Sequence, residues 1–195
     1  MTQETFTLQQ TEAPAEKKRG YMAKAKRSDT NTPPLVLELV RGVMDEIDID
    51  PCSNPGSITG ARKEFWLQQY QEAYLVLPEE RKNRVFVGNG LRAVWGGRAY
   101  VNPPFDHLTR WVRKCAGEHE VRGSEIVLLS PARTDVRWFH EVVVPTATAV
   151  CLWKGRFTFL GEEYGCPFPP MFTYWGPHVR RFRETFGPHG LIFRP

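Results

Sequence analysis

Apolar residues recur along this chain at two different spacings, and the alternation between them sets the expected architecture. Leu35, Leu39, Val40 and Val43 fall at helical spacing after Thr32-Pro33, a hydroxyl cap followed by a first-turn proline that reads as a helix start. Ile47-Asp48-Ile49-Asp50 alternates with period two and predicts a short strand that stops at Pro51. The stretch 51–57 is then dense in turn formers. Val85-Phe86-Val87 and Ala99-Tyr100-Val101 read as further strands, ending at Gly88-Asn89-Gly90 and at Asn102. Leu108, Trp111, Val112 and Cys115 mark one face of a helix. The continuous apolar run 126–129 suits a central strand covered on both faces. Val136, Phe139, Val142 and Val143 suggest a helix, 147–153 a strand, 172–175 a late strand and 179–186 a basic helix.

Strands alternating with helices predict an α/β domain with a largely parallel sheet. In such a sheet ligands bind beyond the carboxyl ends of the strands. Asp50, Asn89 and Asn102 each sit at the end of a predicted strand, so three polar side chains are expected on one rim. Residues 1–30 lack periodicity and are rich in Gln, Glu, Thr and Lys, which predicts a disordered basic tail ahead of a folded domain at 31–195.

Composition narrows the class. A chain of 195 residues, 41% hydrophobic and 25% charged, fits one soluble domain. No apolar run approaches the roughly 18–20 residues of a membrane span. The N-terminus lacks the apolar core of a signal peptide, so a cytoplasmic protein is expected. The four cysteines (Cys52, Cys115, Cys151, Cys166) form no Cys-x-x-Cys pair, against both a zinc site and a disulfide framework. A net charge of +4 is compatible with a polyanionic partner. Basic residues gather at Lys17, Lys18, Arg19, Lys24, Lys26 and Arg27, and recur as Arg133, Arg137, Arg156, Arg180, Arg181 and Arg183.

The most informative segment is Asn102-Pro103-Pro104-Phe105. Two prolines fix φ and remove two donors, and Pro103 keeps Asn102 out of the helical region. The segment therefore presents the Asn102 amide and nearby carbonyls as a rigid set of acceptors beside an aromatic face. Such a set suits a planar amine held by its N–H groups while Phe105 stacks on its base; a strand-end turn with a packed Phe is the plainer reading.

The ordered motifs resemble the phage-type DNA N6-adenine methyltransferase family, over roughly residues 32–175. Asn102-Pro103-Pro104-Phe105 matches the Asn/Asp-Pro-Pro-Tyr/Phe motif of amino-group methyltransferases. Gly90-Leu91 and Trp95 lie upstream of it, and Trp111 lies downstream. Pro131-Ala132-Arg133-Thr134-Asp135, Trp138-Phe139, Gly155-Arg156-Phe157 with Phe159, and Pro167-Phe168 complete the set. Thr32-Pro33 resembles the Thr-Pro ahead of the cofactor strand, and Asp50-Pro51-Cys52-Ser53 resembles the cofactor loop. The chain departs from that loop by lacking Gly-x-Gly, and it carries Asn89 where relatives often have Asp. Glu64 is the candidate acid for the cofactor ribose.

The resemblance implies a Rossmann-like methyltransferase fold with a mostly parallel central sheet and flanking helices. It implies S-adenosylmethionine as cofactor, methylation of the adenine N6 amine, double-stranded DNA with base flipping as partner, no metal, and a place in the host cytoplasm or nucleoid. Asn102, Pro103, Pro104 and Phe105 would form the catalytic cluster. Thr32, Pro33, Asp50, Pro51, Cys52 and Asn89 would bind the cofactor, and Arg133, Arg137 and Arg156 would meet phosphates. His140 reads as a helix-surface or core histidine. The same cluster would also serve RNA adenine or a protein glutamine, and loss of Gly-x-Gly leaves open a catalytically silent nucleic-acid-binding module. A nicotinamide-dependent oxidoreductase is disfavoured, since no Gly-x-Gly-x-x-Gly follows a strand. The stretches 56–84 and 165–170 are expected to be DNA-facing insertions.

Overall fold

A computed structural model describes residues 30–195, so the tail expected before them lies outside the described residues. In chain order the elements are α1 (Pro34–Met44), β1 (Ile49–Ser53), β2 (Lys63–Trp66), the short α2 (Gln71–Leu75) and α3 (Glu79–Lys82), β3 (Val85–Val87), β4 (Arg98–Val101), α4 (Leu108–Arg122) and β5 (Glu125–Pro131). A π-helical turn, Phe139–Val143, then runs into α5 (Val144–Thr146), followed by β6 (Ala149–Trp153), β7 (Pro170–Trp175), α6 (Val179–Phe186) and β8 (Gly190–Phe193).

One eight-stranded sheet runs β3-β2-β1-β4-β5-β7-β6-β8. The first five strands pair in parallel, β7 is antiparallel to both β5 and β6, and β8 is antiparallel to β6. This is the expected Rossmann-like α/β arrangement, with an antiparallel far side. The strand order reverses between β1 and β4, so a crevice opens beyond their carboxyl ends.

Helices cover both faces of the sheet. Val36, Leu37 and Val40 of α1 and Phe182 and Phe186 of α6 pack on Tyr100, Phe172 and Tyr174. On the opposite face Trp111 and Val112 of α4 and Phe139 pack on Ile126, Leu128 and Met171. Every residue of β5 is buried and alternate side chains feed the two cores, which is why its sequence is continuously apolar from 126 to 129.

Several local expectations change. The N-cap of α1 is Pro33, with no side-chain cap bond; the Thr32 hydroxyl turns inward to Tyr100 instead. β1 does not stop at Pro51 but continues to Ser53. A register shift between Asp50 and Ser53 accommodates the residue that cannot donate to the ladder. The stretch expected as a DNA-facing insertion contains β2, paired on both edges. Its charged residues Lys63 and Glu64 conceal it: Glu64 is buried and is bonded by Ser53 Oγ at 2.9 Å and by Trp66 Nε1 at 3.4 Å.

Candidate active site

The crevice between β1 and β4 has a polar compartment and an apolar one, which share Cys52, Ser53 and Asn54 as a common wall. The polar compartment is built on Asp50. Its Oδ1 accepts the Cys52 N–H at 3.2 Å, and its Oδ2 accepts the Thr59 hydroxyl at 3.0 Å and the Ser57 hydroxyl at 3.3 Å. These bonds fold the 51–59 loop back over the strand end without a Gly-x-Gly. Burial is the main reason the Asp50 pKa is pushed from 3.8 up to about 6, with nearby Glu64 adding to the rise and the Thr59, Cys52 and Ser57 bonds opposing it.

Asn102 faces Asp50's compartment from the end of β4. Its Nδ2 donates to the Thr30 carbonyl at 3.0 Å and lies 3.4 Å from Thr32 Oγ1. A carbonyl only accepts, so this contact decides which way the amide points. Both donor directions go to the protein, and Oδ1 keeps its acceptor capacity. After the buried Pro103 the chain makes a single 3-10 turn, Phe105–His107, into α4. Phe105 meets Phe168 edge-on, with ring centroids 4.7 Å apart and planes at 85°.

The apolar compartment is lined by Pro51, Leu67, Tyr70, Pro104 and Trp111 beside the shared wall. Its Pro51 wall, on β1, is backed closely by the turn after β3: a Cβ on Gly90 would lie 1.8 Å from the Pro51 carbonyl oxygen. Trp95 pins the same loop by donating from Nε1 to the Gly90 carbonyl at 2.9 Å.

The structure brings together most of the residues singled out by sequence, but not all. Thr32, Asp50, Pro51, Cys52 and Asn102 line the crevice, Pro104 joins them, and Phe105 stands next to them. Pro33 sits at the head of α1 and lines neither compartment. Asn89 is exposed, and its Oδ1 accepts the Leu91 N–H at 3.0 Å, so its side chain shapes the turn. Arg133 is exposed just past β5, Arg137 pairs with Glu141 at 2.8 Å, and Arg156 donates to the Cys166 carbonyl at 2.8 Å. His140 is exposed on its helical turn.

Sequence reasoning missed Tyr100, whose hydroxyl enters the polar compartment, together with Ser57, Thr59, Leu67 and Tyr70. The run of hydroxyls from Ser53 to Thr59 was the available signal for the loop; Tyr100 gave none, because it reads as one more core residue of a strand.

The donor set fits S-adenosylmethionine. A buried carboxylate facing a polar compartment suits the ammonium of its amino-acid end, and Pro51, Leu67, Tyr70 and Trp111 suit the flatter, less polar adenosine end. Among the described residues no group of three or more His, Cys, Asp or Glu is placed to hold a metal ion. No helix among them is long and apolar enough to cross a membrane.

Residues 82–167 match the family model described as DNA N-6-adenine-methyltransferase (Dam). The match takes in the Gly90 loop, Asn102 to Phe105 and the segment after β6; α1, β1 and β2 precede it. No curated protein matches this chain. Among solved structures, a candidate RNA methyltransferase from Pyrococcus horikoshii is similar over 72% of this chain and 78% of its own, at 17% identity and a TM-score of 0.44. An S-adenosylmethionine-dependent O-methyltransferase from Thermotoga maritima is similar over 78% of this chain and 68% of its own, at 11% identity and a TM-score of 0.45.

Proposed function

We propose that this chain, similar over its middle to the DNA N-6-adenine-methyltransferases, moves a methyl group from S-adenosylmethionine to the exocyclic amine of adenine in DNA. The observation that carries the reading is the Asn102 amide, held at the switch point of the sheet with its nitrogen spoken for and its oxygen kept as an acceptor.

Adenine N6 is a weak nucleophile because its lone pair is delocalised into the ring. Asn102 Oδ1 and the Pro103 carbonyl accept its two N–H groups, which favours a pyramidal nitrogen with the lone pair free to attack. Phe105 stacks on the base, and Phe168, already edge-on to Phe105, stiffens that ring. Asp50, Pro51 and Cys52 would hold the cofactor, which would supply an electrophilic methyl on a sulfonium and leave as the neutral thioether, while the proton lost from N6 passes to solvent. Placement and preorganised dipoles do the rest. An amine inside a duplex is unreachable, so the nucleotide flips out at a cost of a few kcal/mol. Base stacking of roughly 1–3 kcal/mol offsets part of it.

The test is incubation with unmethylated DNA and labelled S-adenosylmethionine, followed by digestion and identification of the modified nucleoside, with Asn102→Ala in parallel. N6-methyladenine that vanishes in Asn102→Ala is the expected result. Label absent from DNA but present in RNA or in protein glutamine would replace the substrate, and failure to bind the cofactor would leave a silent nucleic-acid-binding module.

A further inference from the structure

Tyr100 lies on β4 and Asn102 directly after the strand's last residue, and both line the polar compartment. The Tyr100 ring is fully buried among the core residues beneath α1, while its hydroxyl reaches the polar compartment and meets Thr32 Oγ1 at 2.9 Å. Thr32 Oγ1 is in turn 3.4 Å from Asn102 Nδ2, and the Thr30 carbonyl holds the same nitrogen at 3.0 Å. A chain of hydrogen bonds therefore runs from the core, through Thr32, to the amide at the centre of the proposed reaction.

The segment that supplies Thr30 and Thr32 is itself fixed. The Asn31 carbonyl accepts the Leu160 N–H at 2.8 Å, pairing the segment with the loop between β6 and β7. On its other side Gly56 presses so close that a Cβ there would lie 2.6 Å from Asn31 Nδ2. Pro33 and Pro34 then stiffen the entry to α1.

The orientation matters because an amide has two unlike ends. Turned by half a rotation, Asn102 would aim N–H donors at an amine that must itself donate, and the acceptor would be lost. We infer that Tyr100 and Thr32 are positioning residues for methyl transfer, holding Asn102 with Nδ2 inward and Oδ1 toward the substrate. The inference rests on the proposed amino-group transfer, and it concerns how the acceptor is aimed rather than which nucleic acid is modified.

Three variants test it: Tyr100→Phe, Thr32→Val and Thr32→Ser, each checked for a thermal midpoint close to that of the parent. Tyr100→Phe and Thr32→Val should lower kcat roughly 10–100-fold while leaving cofactor Kd within about twofold, the signature of a loss felt in the transition state alone. Thr32→Ser, which keeps the hydroxyl, should restore most of the rate. A Kd that weakens in step with activity would make the hydroxyl pair a cofactor ligand and overturn the inference, as would unchanged kcat in both variants. A second readout does not depend on catalysis: the Asn102 side-chain amide protons, followed by NMR, should exchange slowly in the parent and faster in Tyr100→Phe and Thr32→Val. Equal exchange in all proteins would also overturn it. A parent enzyme that methylates some other amine would sink the DNA reading alone, because the three variants would still be compared on that substrate.

Discussion

Asp50 occupies a place where a carboxylate is costly, and the cost has a sign that can be measured. Its folded pKa of about 6 lies above the ordinary 3.8, so the protein without cofactor holds an extra proton between those values. The stability this group contributes is complete below about pH 4 and is lost as pH rises through about 6. At pH 7 the loss amounts to about 3 kcal/mol, at about 1.4 kcal/mol per pKa unit. Asp50→Asn should therefore raise the thermal midpoint of the cofactor-free protein at pH 7 and remove this part of its pH dependence. Cofactor affinity should behave in the opposite sense. An ammonium brought to Asp50 favours the charged form, so binding expels a proton and affinity should fall about tenfold per pH unit below 6, with a plateau above. Thermal melts of the cofactor-free parent and Asp50→Asn between pH 5 and 8 read the first effect, and titration calorimetry over the same range reads the second; a parent affinity profile flat across pH 6 would remove Asp50 from cofactor binding. At this scale Asp50 and Asn102 were legible because a polar residue closing an apolar strand stands out. Asn89 looked the same, yet it is exposed, lines neither compartment, and its Oδ1 accepts the Leu91 N–H, a local bond that sequence pattern does not distinguish from a ligand contact.

Gly90 and Glu118 show how one loop is held between two elements. Gly90 lies against Pro51 of β1, with no room for a side chain. Five residues on, the Trp95 ring stacks on Trp111 of α4 with centroids 6.2 Å apart, and the Trp95 backbone N–H donates to Glu118 Oε2 at 3.1 Å. Glu118 is buried, and Lys114 at 2.6 Å and Arg122 at 3.1 Å keep its charge partnered. Gly90→Ala should cost about 3 kcal/mol, the upper end for overpacking, because the atom it meets is backbone and cannot swing aside. It should also weaken cofactor binding, since Pro51 lines the apolar compartment. Glu118→Ala strands a buried N–H and should cost about 1–3 kcal/mol with little change in cofactor affinity. Denaturant titrations paired with cofactor titrations separate the two; equal loss of affinity in both variants would mean the loop moves as a unit. Helices α1, α4 and α6 were readable from the spacing of their apolar faces. β2 and β8 were not: Glu64 is buried with bonds from Ser53 and Trp66 and the Arg81 guanidinium nearby, and β8 is a four-residue edge strand whose residues are half exposed.

At the scale of the whole molecule, the order of the strands decides where the arginines of the C-terminal half fall. That these strands would be parallel was legible from their alternation with helices. The insertion of β7 between β5 and β6 was not, because it depends on how the 154–169 loop crosses back and not on any local pattern. The same loop decides which arginines are free. Arg156, within it, braces the Cys166 carbonyl, and Arg137 is committed to Glu141, whereas the Arg133 side chain follows the carboxyl end of β5 with no partner among the described residues. Each phosphate contact made by such a cation releases counterions, so the slope of log affinity against log salt counts them. Arg133→Ala should therefore reduce that slope by about 1 and weaken DNA binding without regard to sequence. Arg137→Ala should change it less, since a cation already paired has less to gain from a phosphate. Arg156→Ala should act mainly on stability, by releasing the loop that carries Phe168. Fluorescence anisotropy with a short duplex at several salt concentrations measures all three slopes. Three equal reductions would mean that the ion pair and the loop contact give way on binding, and that the free side chain of Arg133 confers no advantage.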